Sequence, residues 1–231
     1  PEISLPRRRA ARHTRRPRPR APARGDTVKL YSSMGPNPKL VRMFAAEKGY
    51  AFSEIVKVDL PGGENRKEPY LSKNPAGQIP CVELDDGTVI AETIAICELI
   101  EELQPEPALI GSTPEERAET RMWVRRVEWK VVQPMADGFR FSEGLPIFKD
   151  RIRTIPEAAA GLKAIGQDGL AWFDAQLAKR ETIVPGRFTL ADVTLFAFLE
   201  FGGMVGQPIP DANENVQRWF EKVKARPSAA A

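Results

Sequence analysis

Within twenty residues, Asn74 to Thr93 (NPAGQIPCVELDDGTVIAET), the chain gathers groups suited to holding a small ligand. Gln78-Ile79-Pro80 opens a short apolar run, Cys81 to Leu84. Proline lacks an N–H and can take the cis form, which folded chains use sparingly and usually to shape a site. It also holds the preceding Ile79 extended. The Ile79 backbone can then pair with a peptide-like ligand as an added strand. Glu92-Thr93 begins a helix of apolar period, with Ile94, Ile96, Cys97, Ile100 and Leu103 on or near one face. A helix start presents free N–H groups and a partial positive charge, a seat for a carboxylate. Backbone pairing beside a carboxylate seat suits a small acidic peptide.

Other chemistry is excluded by residue type. The only histidine is His13, near the N-terminal end. A His-based metal site or a Ser-His-Asp triad in the body of the chain is therefore ruled out, and no metal is expected. The two cysteines, Cys81 and Cys97, both lie in apolar runs, where a thiol behaves as a small hydrophobe. They indicate no disulfide framework and point to a reducing compartment.

The elements that must position these groups follow in order. Val28 to Tyr31 reads as a strand, Ser32 to Pro38 as a loop, and Lys39 to Lys48 as a helix ended by Gly49. Ser53 to Val58 is a second strand. Leu60 to Ser72 is a polar, Gly-rich loop with one helical turn. A hairpin then turns at Asp85-Asp86-Gly87. The order β-α-β, connector, β-β-α is a thioredoxin-like layout, without the Cys-x-x-Cys of a redox thioredoxin. Gln104 to Pro114 carries three prolines and a glycine and reads as a linker. Beyond it the pattern is helical. Glu115 to Val132 is a run that Pro134 ends or kinks; Phe139 to Ile155 is ambiguous. Pro156 to Ala178, Thr189 to Phe201 and Val216 to Ala225 are further helices. Thr189 fits an N-cap with Asp192 reaching back to it. The expected fold class is thus α+β in two domains, a thioredoxin-like domain over 26–104 and an all-helical domain over 115–231, joined by 105–114.

The net charge of +3 is uneven. Residues 1–25 hold nine Arg and one Glu, a charge of +8, so the remainder carries −5. This Pro/Arg-rich tail is expected to be disordered. Translation from an upstream start, a basic arm for nucleic acid or membrane, and an organelle-targeting peptide all remain open for it. The acidic body argues against nucleic-acid binding there, and no run approaches a membrane span of roughly 18 apolar residues.

The motif Asn74-Pro75-x-Gly77-Gln78-x-Pro80, followed by Glu92-Thr93 in place of a commoner Glu-Ser or Asp-Ser, resembles the glutathione-binding half of the glutathione S-transferase family. The likeness runs from about Val28 to about Pro227 and includes the capping motif Phe188 to Asp192. It implies a cytoplasmic glutathione transferase, a homodimer, with glutathione as co-substrate and a small hydrophobic electrophile as the second. By the same resemblance Ile79 pairs with the cysteinyl unit beside a cis Pro80. Glu92 holds the γ-glutamyl amine and Thr93 its carboxylate. Gln78, and with less support Asn65, face the glycyl end.

Such an enzyme must form a thiolate near neutral pH, against an unperturbed thiol pKa of about 8.5. Hydrogen-bond donors aimed at the sulfur favour the anion. In the family the donor lies in the loop after the first strand, here Tyr31 to Pro38. Tyr31 falls where tyrosine-type members keep their catalytic residue, and Asn37 where cysteine-type members carry Cys. Pro36-Asn37 is similar to the Pro-Asn of Nu-class and yeast prion-related members, and some β-etherases carry Asn there. Side-chain chemistry ranks Asn37 first, then Ser33, then Tyr31, with Ser32 behind. Trp123, Arg126, Trp129, Lys130 and Phe139 are candidates for lining a second-substrate pocket between the domains. A glutathione-binding or regulatory protein without turnover, and a glutathione-dependent disulfide reductase, are the competing functions.

Overall fold

The computed structural model describes residues 27–231. The expectation of a disordered tail over residues 1–25 lies outside them. Four strands form one sheet: β1 (Val28–Ser32), β2 (Glu54–Lys57), β3 (Cys81–Leu84) and β4 (Val89–Ala91). Their order is β2-β1-β3-β4. β1 runs parallel to β2 and antiparallel to β3, and β4 returns antiparallel on β3. A parallel β1–β2 pair needs a crossover, and α1 (Pro36–Lys48) supplies it. The Asp85-Asp86-Gly87 turn forms as expected, with Gly87 at φ 83°.

The connector is more ordered than its composition suggests. It holds a 3₁₀ turn at Glu64–Arg66 and the single-turn helix α2 (Tyr70–Lys73). α3 (Thr93–Leu103) then packs beside α1 on one face of the sheet. The remaining helices are α4 (Pro114–Val127), α5 (Gln133–Arg140), α6 (Leu145–Phe148), α7 (Ala159–Leu177), α8 (Leu190–Met204) and α9 (Glu214–Lys224). This is the expected mixed sheet followed by a helical half.

Pro134 does not end the first long helix of that half. α4 passes through a π-helical stretch, Glu128–Val132, straight into α5. Proline cannot donate to the carbonyl four residues back, that of Lys130. The wider i→i+5 turn absorbs that loss. Gly169 of α7 lies against the same carbonyl, and a Cβ there would come within 2.1 Å of the Lys130 oxygen.

α8 forms the centre of the helical half, buried from Leu190 to Leu199. Its capping box is present, with the Asp192 carboxylate also accepting from the Ile183 N–H at 2.8 Å and the Trp219 indole at 3.0 Å. Burial pushes the Asp192 carboxyl up to about 6.

A buried ion pair ties the sheet half to the linker that leaves it. The Lys48 ammonium, at the end of α1, lies 2.7 Å from Glu101 on α3, and both side chains are almost wholly enclosed. Lys48 also donates to the carbonyls of Pro105 and Pro107. Glu101 accepts from the N–H groups of Leu109, Ile110 and Gly111. Removing one partner would strand the other charge together with several backbone groups. Glu101→Ala should therefore cost about 3–5 kcal/mol. In urea unfolding this appears as a lower midpoint at an unchanged slope.

Candidate functional site

The strand register brings three separated pieces of chain to one end of the sheet. Tyr31 of β1 pairs with Cys81 of β3, and Cys81 pairs with Ala91 of β4. The loop leaving β1, the Ile79-Pro80 dipeptide entering β3, and Glu92-Thr93 leaving β4 therefore meet there. The Ile79–Pro80 bond is cis. The backbone N–H and C=O of Ile79 have no hydrogen-bond partner among the described residues.

Three buried side chains brace this loop from behind. The Gln78 carbonyl accepts from the Tyr70 hydroxyl at 2.6 Å and from the Asn74 amide at 2.8 Å. The Gly77 carbonyl accepts from the Asn65 amide at 2.5 Å. Gly77 is left-handed at φ 59°, and a Cβ there would come within 2.9 Å of the Asn65 carbonyl, so only glycine fits. Asn65 is 2 % exposed. It supports the loop from inside, donating its amide N–H to Gly77, while its Oδ1 is buried with no hydrogen-bond partner among the described residues. Gln78 keeps its side chain exposed.

Glu92 is the one non-glycine residue at positive φ among the described residues, at φ 67°. Such a conformation costs about 1–3 kcal/mol and persists where its surroundings over-determine it. The Glu92 side chain is exposed and makes no hydrogen bond or ion pair among the described residues. Glu92 is also the N-cap of α3 and places no side chain on the free N–H groups of the first turn. A free carboxylate and an uncapped helix start thus stand side by side, able to meet an ammonium and a carboxylate on one ligand. Nothing in the sequence foretold the left-handed backbone at Glu92.

In the loop after β1 the structure separates the candidates. Gly35 is the N-cap of α1, and Pro36 and Pro38 fill two of the first three helical positions. Neither proline has an N–H, so Asn37 supplies the free backbone donor there as well as a side-chain amide. That amide makes no capping bond and has no partner among the described residues. The Ser33 hydroxyl is also unengaged, while its carbonyl accepts from Arg42 at 3.3 Å. Arg42 also donates to the Ser32 hydroxyl at 3.0 Å, and burial lowers the pKa of its guanidinium. Ser32 is itself buried.

Tyr31 faces elsewhere. Its side chain alternates to the opposite sheet face from Leu30, into a small cluster with Val58, Tyr70 and Cys81. Its hydroxyl donates to Glu83 at 2.5 Å, and Glu83 is held in turn by Lys73 at 2.9 Å. Burial and this hydrogen bond raise the Tyr31 pKa. The phenol proton of Tyr31 is thus already committed to Glu83. Cys81 and Cys97 are both buried free thiols, and burial pushes both pKa values up.

The five candidates for a second-substrate pocket do not converge. Trp123, Arg126 and Lys130 share the face of α4 and its π-helical continuation that meets Trp172 of α7. Their spacing of three and four residues puts them on one helical face, and that face serves helix packing. Trp129 points outward, 61 % exposed, with Arg125 stacked on it. Phe139 alone lies elsewhere, edge-on to Phe148 and Phe201. Arg151, just beyond α6, reaches the Leu60 carbonyl at 3.1 Å, so this aromatic group lies near the contact between the two halves.

Comparison with known proteins decides the family. The model of the glutathione S-transferase N-terminal domain matches residues 35–103, and that of the C-terminal domain matches 157–227. The chain belongs to the glutathione S-transferase family. It is 34% identical to glutathione S-transferase 2 of Saccharomyces cerevisiae over 197 residues, 84% of each chain. Among solved structures it is similar to a glutathione S-transferase domain-containing protein of Marinobacter aquaeolei VT8, at 35% identity and TM-score 0.82, over 87% of this chain and 98% of that one. The β-etherase LigF of a Sphingobium strain is 25% identical, with TM-score 0.74 over 88% of this chain and 97% of that one. The activity that goes with the family is that of a glutathione transferase.

Tyr70 is a residue that sequence reasoning missed, since its role depends on where α2 falls. Tyr70→Phe removes one of the two donors to the Gln78 carbonyl and keeps the ring. The expected result is a rise in KM for glutathione of several-fold with kcat nearly unchanged, and a stability loss of about 0.5–1.5 kcal/mol. Steady-state kinetics alongside thermal unfolding will read both.

Proposed function

We propose that this transferase lays glutathione along the end of the sheet and holds its sulfur as a thiolate beside the start of α1. In this reading the Ile79 backbone pairs with the cysteinyl unit, Pro80 shapes the turn, and Gln78 faces the glycyl end. Glu92 meets the γ-glutamyl ammonium. The Thr93 hydroxyl and the free N–H groups of α3 meet its carboxylate. The observation that carries the reading is the convergence of Ser33-to-Asn37, Ile79-Pro80 and Glu92-Thr93 at one sheet end.

The chemistry is then simple. The thiol proton leaves to solvent. The Asn37 side-chain amide, its backbone N–H and the dipole of α1 stabilise the sulfur anion, with the Ser33 hydroxyl as second donor. The thiolate attacks an electrophilic carbon, forming a C–S bond as the leaving group departs with its electron pair. The protein supplies binding, orientation and thiolate stabilisation. Likeness to a β-etherase makes an ether carbon one electrophile to test, with an alkoxide or aryloxide as the leaving group. The Phe139, Phe148 and Phe201 group supports an apolar second substrate. Exposed Met122 on α4 and Trp129 on its π-helical continuation support a homodimer. Two free buried thiols support a reducing, cytoplasmic setting.

Two variants separate the assigned roles. Asn37→Ala should lower kcat about 10²-fold, on the scale of losing one oriented donor, with little change in glutathione affinity. Glu92→Ala should weaken glutathione binding about tenfold, near the cost of one charge-assisted hydrogen bond. Kinetics with a chloronitrobenzene electrophile and calorimetry with glutathione will report them. Unchanged turnover in Asn37→Ala would remove Asn37 from the catalytic role.

A further inference from the structure

Between α4 and α7, three cations gather on two indole rings. The Arg126 guanidinium carbon lies 4.6 Å from the Trp123 ring centre and 6.0 Å from that of Trp172. The Arg180 guanidinium carbon lies 4.3 Å from the same Trp123 ring. The Lys130 ammonium lies 4.8 Å from the Trp172 ring. None of the three has a carboxylate within 4.0 Å among the described residues.

The nearby acids are already engaged. Glu119 is paired with Arg187 at 2.8 Å. Asp192 is enclosed and accepts from Ile183, Thr189 and Trp219. Arg180 reaches only the Gln176 side-chain oxygen, at 3.4 Å, and its Nε is buried with no acceptor. Burial lowers the Arg180 pKa most; the charge of Asp192 opposes this, that of Arg126 adds to it, and that of Glu119 opposes it least.

No carboxylate pairs directly with any of the three cations, and Asp192 and Glu119 act on Arg180 only from beyond ion-pair distance. Arg126 and Lys130 are like charges four apart on one helix, a mildly repulsive pair. Burying a guanidinium nitrogen without an acceptor adds a further cost. Both costs occur on a body whose net charge is −5 once residues 1–25 are set aside. Stacking on an indole leaves the guanidinium edge free, and that edge matches oxyanions bidentately. The indoles meanwhile hold the cations in place.

We propose that the cation cluster where α4 and its π-helical continuation meet α7 is an anion-binding site, separate from the glutathione seat, taking a small oxyanion of at least two negative charges through Arg126, Lys130 and Arg180. The proposal does not depend on which residue activates glutathione.

Tryptophan emission of the full chain, titrated with inorganic pyrophosphate at low ionic strength, tests it. Trp123 and Trp172 lie under the cations and report on their occupancy. The expected result is a saturable change that Arg126→Gln/Arg180→Gln weakens by at least about tenfold, near the worth of one charge-assisted hydrogen bond. Arg125→Gln, a cation stacked on exposed Trp129, should titrate like the unaltered protein. If the double variant fails to fold by circular dichroism, Lys130→Gln, at a partly exposed position, carries the test with a roughly threefold weakening expected. No saturable change, or equal titrations in the unaltered protein and the altered-site variants, would overturn the proposal.

Discussion

The pairing of β1 with β3 is the constraint on which the site depends. Setting Tyr31 opposite Cys81, and Cys81 opposite Ala91, decides which chain ends share the sheet edge. A slip of one residue would turn Tyr31 and Cys81 into the main core and drive Leu30 and Val82 out of it. The register is therefore enforced by burial on both faces, with Leu30 and Val82 fully buried on one and Tyr31 and Cys81 buried on the other. The same register fixes the candidate site and the core, so the geometry of that site follows from how the sheet packs.

Preorganisation comes from a second set of contacts. The Gln78 carbonyl is held by two donors and the Gly77 carbonyl by one, beside an Ile79 backbone with no partner among the described residues. The left-handed backbone at Glu92 stores strain where a carboxylate must be aimed away from its own helix. The Lys48–Glu101 pair then locks α1 and α3 to each other and to the linker. Each of these features holds donors or acceptors in place before a ligand arrives, which reduces the ordering cost of binding.

Much of this was legible in the residues. The cis Pro80, the Gly87 turn, the start of α3 and the capping box at Thr189 each have a local signature, and each formed. Family likeness rested on the same residues and on the order of elements. Where reading failed, the determinant was tertiary. Alternation alone left open which way the Tyr31 ring points, and packing against Tyr70 and Val58 resolved it. Pro134 would end an isolated helix, but a π-helical stretch and the close approach of Gly169 carried the helix through. Asn65 has an exposed residue's composition and an interior residue's role, because the loop folds over it. The aromatic and cationic residues of α4 shared a helical face as their spacing implied; that the face meets α7 could not be read from spacing.

In the proposed mechanism, donors at the start of α1 hold the glutathione sulfur as an anion. The most direct measurement is the pKa of the bound thiol, from the ultraviolet thiolate absorbance of the binary complex titrated across pH. The account predicts a bound pKa well below the free value of about 8.5. It also predicts that the pKa climbs back toward that value in Asn37→Ala while glutathione still binds. A bound thiol that titrates like the free one in the unaltered protein would contradict it.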